Sequence, residues 1–132
     1  NRTFDKGKKL ADELRDLFAG PKVFGPMSRL QAVAWDEGAF RSQIGNTDLI
    51  VNATPVGLNR TDASPIPAGL LAPHLMVYDT IYAPRPTAFI SAANEVGARA
   101  ANGLSLLLHQ GALAFETWFG REAPLEAMRK AL

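Results

Sequence analysis

Asp48-Leu49-Ile50-Val51-Asn52-Ala53-Thr54-Pro55-Val56-Gly57 is the stretch that decides the fold. Three consecutive apolar residues between Asp48 and Asn52 read as a buried strand, and the proline- and glycine-bearing block behind them reads as its end. A second apolar run, Leu75-Met76-Val77-Tyr78-Asp79, closes in a similar block, Thr80-Ile81-Tyr82-Ala83-Pro84. Between the two, residues 57–73 read as loop, with Pro65, Pro67 and Pro73 set among Asn59, Asp62 and Ser64.

Helical patterns surround these strands. Leu10, Leu14, Leu17 and Phe18 recur at three- and four-residue steps, which predicts an amphipathic helix over Asp5 to Phe18, stopped by Gly20-Pro21. A short helix is expected from Asp36 to Ile44, another from Pro86 to Val96 ended by Gly97, and a long one from Gly103 to Phe119 capped by Asn102. Gly120 breaks that helix, and Pro124 starts a final one. Gln31-Ala32-Val33-Ala34-Trp35 is short, apolar and flanked by charge, so it reads as a further strand. Strands alternating with helices give an α/β fold with a parallel sheet. Ligands of such sheets sit beyond the carboxyl ends of the strands, so Asn1, Asn52 and Asp79 fall on one rim.

The bulk properties exclude more than they select. A chain of 132 residues with 47% hydrophobic content is one domain long and ordinary for a globular protein. A net charge of +1 without a basic run argues against a nucleic-acid surface. The apolar stretch Leu104–Leu108 is far short of the ~20 residues of a membrane span, and Asn1–Lys9 lacks a signal-peptide pattern. The absence of cysteine excludes thiolate chemistry and fits a cytoplasmic protein. His74 and His109 have no ligand-like spacing, so no metal site is expected.

Four groups of residues are candidates for binding. In a dinucleotide-binding fold an acid usually meets the adenosine ribose at the end of the second strand. Asn1-Arg2-Thr3, followed by Lys6, offers a guanidinium, a hydroxyl and an ammonium instead, suited to a ribose 2′-phosphate; a solvated charge cluster is the plain alternative. Asn52, Ala53 and Thr54 either orient a cofactor or simply make a turn. Tyr82 offers a phenol to a substrate carboxylate or hydroxyl, or is a half-buried structural tyrosine. Gln110 lies in a helix that is apolar almost all round, where a buried amide needs partners that a polyhydroxylated ligand or a backbone carbonyl would supply. His109, about 100° round the helix from it, reads as structural or exposed. Glu95, Glu116 and Glu122 read as solvated helix faces, and no general base or nucleophile stands out.

The blocks Asn52–Gly57, Tyr78–Pro84 and Gly103–Ala112, in this order after Asn1-Arg2-Thr3, resemble the nucleotide-binding domain of the shikimate dehydrogenases. The resemblance runs from Asn1 to about Gly120. It implies a partial Rossmann-like, doubly wound parallel sheet, with residues 1–132 forming the C-terminal NADP-binding part of the domain plus C-terminal helices. It implies NADP as cofactor and hydride transfer between 3-dehydroshikimate and shikimate. Asn1, Arg2, Thr3 and Lys6 match the family's 2′-phosphate clamp, and Asn52, Ala53 and Thr54 its nucleotide-side turn. Thr80 and Ile81 fall where backbone groups meet the nicotinamide half, Gly103 at the nicotinamide end, and Tyr82 and Gln110 at the two shikimate contacts. Pro55 stands where serine is common in the family, and Leu106 where methionine is.

The resemblance also implies parts outside this sequence: the glycine-rich phosphate loop, the first two strands, and the substrate domain with its catalytic Lys–Asp pair. No catalytic residue is therefore expected within the chain. It is expected to be the C-terminal part of a longer protein, or to be completed by another chain, and to be inactive alone. A catalytically silent NADP-binding or regulatory module is the alternative, as is a related enzyme acting on quinate.

Overall fold

The computed structural model describes residues 3–18 and 30–132. Asn1, Arg2 and the Gly20-Pro21 helix stop lie outside the described residues. The chain divides into two compact units, Asn1–Gly45 and Asn46–Leu132.

The described residues of the first unit form two helices. α1 spans Phe4–Phe18, and the Thr3 carbonyl accepts its first bond, from Gly7 N at 3.2 Å, which puts Thr3 at the N-cap. Lys8 pairs with Asp12 at 2.8 Å and Lys9 with Glu13 at 3.8 Å, both four residues apart. The Lys8 ammonium, with Arg15 beside it, holds the Asp12 carboxyl below its ordinary value. α2 spans Glu37–Ile44, and its first turn is capped by Asp36, whose side chain accepts from Ala39 N at 2.8 Å.

The expected strand at Gln31–Trp35 is not one: residues 30–34 take no regular structure. A strand needs a neighbour for its backbone groups, and the first unit has no described strand to pair with. Trp35 instead meets Phe40 of α2 edge-on, with ring centroids 5.6 Å apart.

The second unit is built on a three-stranded parallel sheet in the order β1-β2-β3, with β1 at Leu49–Asn52, β2 at Met76–Asp79 and β3 at Arg99–Asn102. α3 (Ala88–Glu95) packs on β2 and β3. α4 (Leu104–Phe119) packs against α5 (Leu125–Ala131), and a 3₁₀ turn at Ala68–Leu70 touches α3. The core lies between sheet and α3, where Leu75, Val77, Phe89 and Ala93 are shut off from solvent. Side chains alternate across a strand, so Val77 and Asp79 share the face turned to α3, and their register partners Ile50 and Asn52 share it too. Leu49, Val51 and Met76 occupy the opposite face, about half exposed.

The α3 terminus follows directly from its glycine. Gly97 takes φ +78°, Gly97 N donates to Asn94 O at 3.0 Å, and Ala98 N donates to Ala93 O at 2.9 Å, which together form a Schellman motif. The reversal feeds the chain straight into β3. No side chain lies where a Cβ at this glycine would go. Gly97→Ala is therefore expected to cost only the left-handed strain, about 1–2 kcal/mol, read as a lowered urea midpoint with an unchanged slope.

Candidate functional site

The three strands end in register. Asn52 pairs with Asp79 and Asp79 with Asn102, so one polar residue from each strand closes the carboxyl rim. Two of them are buried in a way the sequence does not announce. Asp79 is fully enclosed and Asn52 nearly so. Asp79 Oδ1 accepts from Asn52 Nδ2 at 2.9 Å and from Ile81 N at 3.1 Å; its Oδ2 accepts from Thr87 Oγ1 at 2.6 Å. Thr87 in turn caps α3, accepting from Ile90 N at 3.3 Å.

Asn52 is saturated. Its Nδ2 also donates to Val56 O at 2.9 Å, and its Oδ1 accepts from Thr54 N at 3.1 Å and Thr54 Oγ1 at 2.7 Å. Thr54 Oγ1 then accepts from Val56 N at 3.2 Å. These are stacked Asx and ST turns, and they use every donor and acceptor site of the Asn52 amide. What the turn presents outward is Ala53 and Pro55, both exposed.

The second rim turn is also self-bound. Thr80 N and Thr80 Oγ1 both donate to Asn52 O, at 3.0 and 2.8 Å, and Gly103 N donates to Ile81 O at 3.2 Å. The N–H groups of Thr80 and Ile81 are thus committed, and this turn can serve a ligand through its carbonyl oxygens, which carry a second lone pair. Gly103 is where α4 passes the end of β2. A Cβ built there would lie 2.0 Å from Thr80 O, so the approach is backbone to backbone. Asn102, the last residue of β3, helps start α4 by accepting from Leu104 N at 3.2 Å. An open hollow of about 380 Å³ lies beside this rim, with Arg85 and Thr87 on one wall and Asn102 and Ser105 on the other.

The proposed substrate residues fare differently from each other. Tyr82 is 51% exposed, leaving its phenol open to a ligand. Gln110 departs from expectation: it is exposed, and its Nε2 donates to Leu107 O at 3.1 Å within its own helix. Within this chain Leu113, Trp118 and Phe119 of α4 are also more than half exposed. Glu116 differs as well. It is partly buried and accepts from Ala123 N at 3.1 Å, tying the turn before α5. Thr3 and Lys6 lie in the first unit, exposed at the start of α1. Among the described residues, no group of three His, Asp or Glu side chains could hold a metal ion, and no helix is long and apolar enough to cross a membrane.

The loop behind the first turn is fixed by Asp62, whose Oδ2 accepts from Gly57 N at 2.8 Å and Asn59 N at 3.1 Å. The Gly57 and Asn59 amides hold this carboxyl below its ordinary value. A depressed folded-state value means the loop is stabilised at neutral pH and loses that support as pH falls below the usual carboxylate range. Exchange at the Gly57 and Asn59 amides is therefore expected to lose protection in acid, and Asp62→Ala to show the same loss at neutral pH.

A parallel sheet with self-satisfied polar turns along its carboxyl rim defines the Rossmann-like α/β class. Residues 103–132 match the family described as the Shikimate 5'-dehydrogenase C-terminal domain. The Shikimate dehydrogenase (NADP(+)) of Methanopyrus kandleri is 37% identical over 134 residues, an alignment that covers all of this chain and 43% of the relative. A shikimate dehydrogenase solved in complex with NADP+ superposes with a TM-score of 0.80 at 30% identity, over 99% of this chain and 43% of that one. The shikimate 5-dehydrogenase of Listeria monocytogenes, solved with shikimate and NAD, gives 0.65 at 35% identity over 73% and 34%. Over its whole length the chain is similar to the C-terminal part of shikimate dehydrogenases. It spans less than half the length of these relatives.

Proposed function

We propose that this chain is the NADP-binding part of an enzyme that interconverts 3-dehydroshikimate and shikimate, with residues 1–132 forming one partial Rossmann domain and its C-terminal helices. The observation that carries it is the superposition, over 99% of the chain, on a shikimate dehydrogenase in complex with NADP+. When bound, NADP supplies the hydride acceptor or donor. The first rim turn can border such a cofactor, because its outward residue Ala53 is small and exposed while Asn52 and Thr54 hold the turn's shape by their own bonds.

In this proposal Asn1, Arg2, Thr3 and Lys6 hold the 2′-phosphate. Ala53 and Thr54 border the nucleotide, with Asn52 shaping the turn they sit on. The carbonyls of Thr80 and Ile81, and Gly103, border the nicotinamide half. Tyr82 donates its phenol proton to the shikimate oxygens, with Gln110 as a second contact able to turn outward from its helix. The catalytic Lys–Asp pair belongs to the remaining part of the protein or to a complementing chain. A cytoplasmic setting accompanies this function and suits a sequence without cysteine.

The test is turnover by the full-length protein, following the reduced cofactor with shikimate and with quinate. Shikimate-dependent reduction of NADP supports the proposal. NADPH binding without turnover on either acid would point to a silent binding module, and preference for quinate to the related enzyme. Tyr82→Phe is expected to raise KM for shikimate roughly tenfold with KM for NADP unchanged, one hydrogen bond to a charged group being lost. Equal KM values in the two proteins would remove Tyr82 from the site.

A further inference from the structure

Asp79 is fully buried, yet nothing in the proposed reaction uses it. A buried carboxylate is costly unless it is richly bonded, and this one is met by three donors. Its three donors come from three different places: the end of β1, the turn after β2, and the start of α3. We propose that Asp79 is a positioning residue that locks the cofactor-side turn, Asn52–Gly57, to the substrate-side turn, Thr80–Thr87, so that the two hold one geometry. What each turn holds rests on the function proposed above; the coupling itself does not.

The bonds form a continuous chain. Val56 O and Asp79 Oδ1 both receive Asn52 Nδ2, Thr54 holds Asn52 Oδ1, Asp79 Oδ2 receives Thr87 Oγ1, and Thr87 Oγ1 receives Ile90 N. Two acceptors face the amide nitrogen of Asn52 and two donors face its oxygen, so its orientation is set without ambiguity. Hydrogen bonds to a carboxylate are roughly twice as strong as neutral ones, which makes Asp79 the stiff link. A second contact closes the loop: a Cβ on Gly57 would sit 3.2 Å from Ile81 Cδ1 and 3.4 Å from Thr87 Cγ2, so the two turns also touch through space.

Thr87→Val tests this in the full-length protein, because it removes the bond to Asp79 and the cap bond from Ile90 N, and none within the Asn52–Gly57 turn. Amide exchange at Thr54 and Val56, across Asp79 from the substitution, is expected to speed up roughly tenfold. Thr87→Ser, which keeps the hydroxyl, is expected to restore protection. Faster exchange confined to Ile90 and the first turn of α3 would show that Thr87 only caps its helix, and would overturn the proposal.

Asp79→Asn supplies the kinetic arm. It puts a donor where Thr87 needs an acceptor, and it is expected to raise KM for both cofactor and shikimate. A lower Tm with both KM values and kcat unchanged per folded molecule would also overturn the proposal. If Asp79→Asn does not fold, the two Thr87 variants decide. If the unsubstituted protein shows no NADP- and shikimate-dependent turnover, the functional assignment fails, while the exchange measurement still decides the coupling.

Discussion

Gly103→Ala is expected to destabilise the protein by about 3 kcal/mol, at the upper end of what overpacking costs. The reason is steric rather than conformational, since Gly103 has φ −75° and ψ 3°, which alanine adopts freely. The added methyl would lie 2.0 Å from Thr80 O and 2.6 Å from Thr80 C, so backbone must move. That backbone is held on both sides, by Thr80 N and Oγ1 to Asn52 O and by Gly103 N to Ile81 O. Relief therefore means breaking the rim itself, and activity is expected to fall with stability. Gly111→Ala, inside α4, is the control. Its methyl would meet only the flexible end of Met128 at 3.4 Å, and a helix interior gains about 0.5–1 kcal/mol from the exchange. Urea denaturation of the pair reads the difference directly, and equal midpoints would show that α4 does not press on β2 as described.

The second large effect is on cofactor choice. Arg2→Ala in the full-length protein is expected to lower kcat/KM for NADPH by roughly 10- to 100-fold, the worth of a charge-assisted bond to phosphate, and to leave NADH unchanged. Thr3 sits at the N-cap of α1, a 15-residue helix whose positive end favours an anion, while Asp5 in the first turn opposes it. The NADPH preference should also weaken with added salt if a guanidinium–phosphate contact carries it, because salt screens the attraction between ions. A variant that discriminates between the two cofactors as well as the parent does would remove the clamp from these residues.

Much of the architecture was legible because β1 and β2 are apolar runs and the helices α1, α3 and α4 carry clear periodicity or glycine ends. β3 was not legible. Arg99-Ala100-Ala101-Asn102 has neither β-branched residues nor an apolar run, and it becomes a strand through pairing with β2. Gln31–Trp35 failed for the opposite reason, since its composition suits a strand but no described neighbour completes it. At the site, sequence singled out Asn52 and Tyr82, but the role of Asn52 as a saturated turn-former emerges only from its four bonds. Thr87 was missed altogether. A threonine just ahead of Ala88-Phe89-Ile90 is a recognisable cap signal, yet its bond to Asp79, eight residues back, has no local sequence signature. For Gln110 the sequence leaves a ligand or a backbone carbonyl as partner, and within this chain the carbonyl of Leu107 takes that place.

The saturated turn also divides mutable from immutable positions. Asn52 and Thr54 leave no hydrogen-bonding capacity to spare, so selection acting on them answers to folding first. Ala53 projects outward between them and makes no bond that the turn needs, whereas exposed Pro55, just beyond Thr54, fixes the backbone through its ring. If this turn borders the nucleotide as proposed, an engineer retuning its affinity would find freedom first at position 53, where a new side chain leaves the bonds of Asn52 and Thr54 in place.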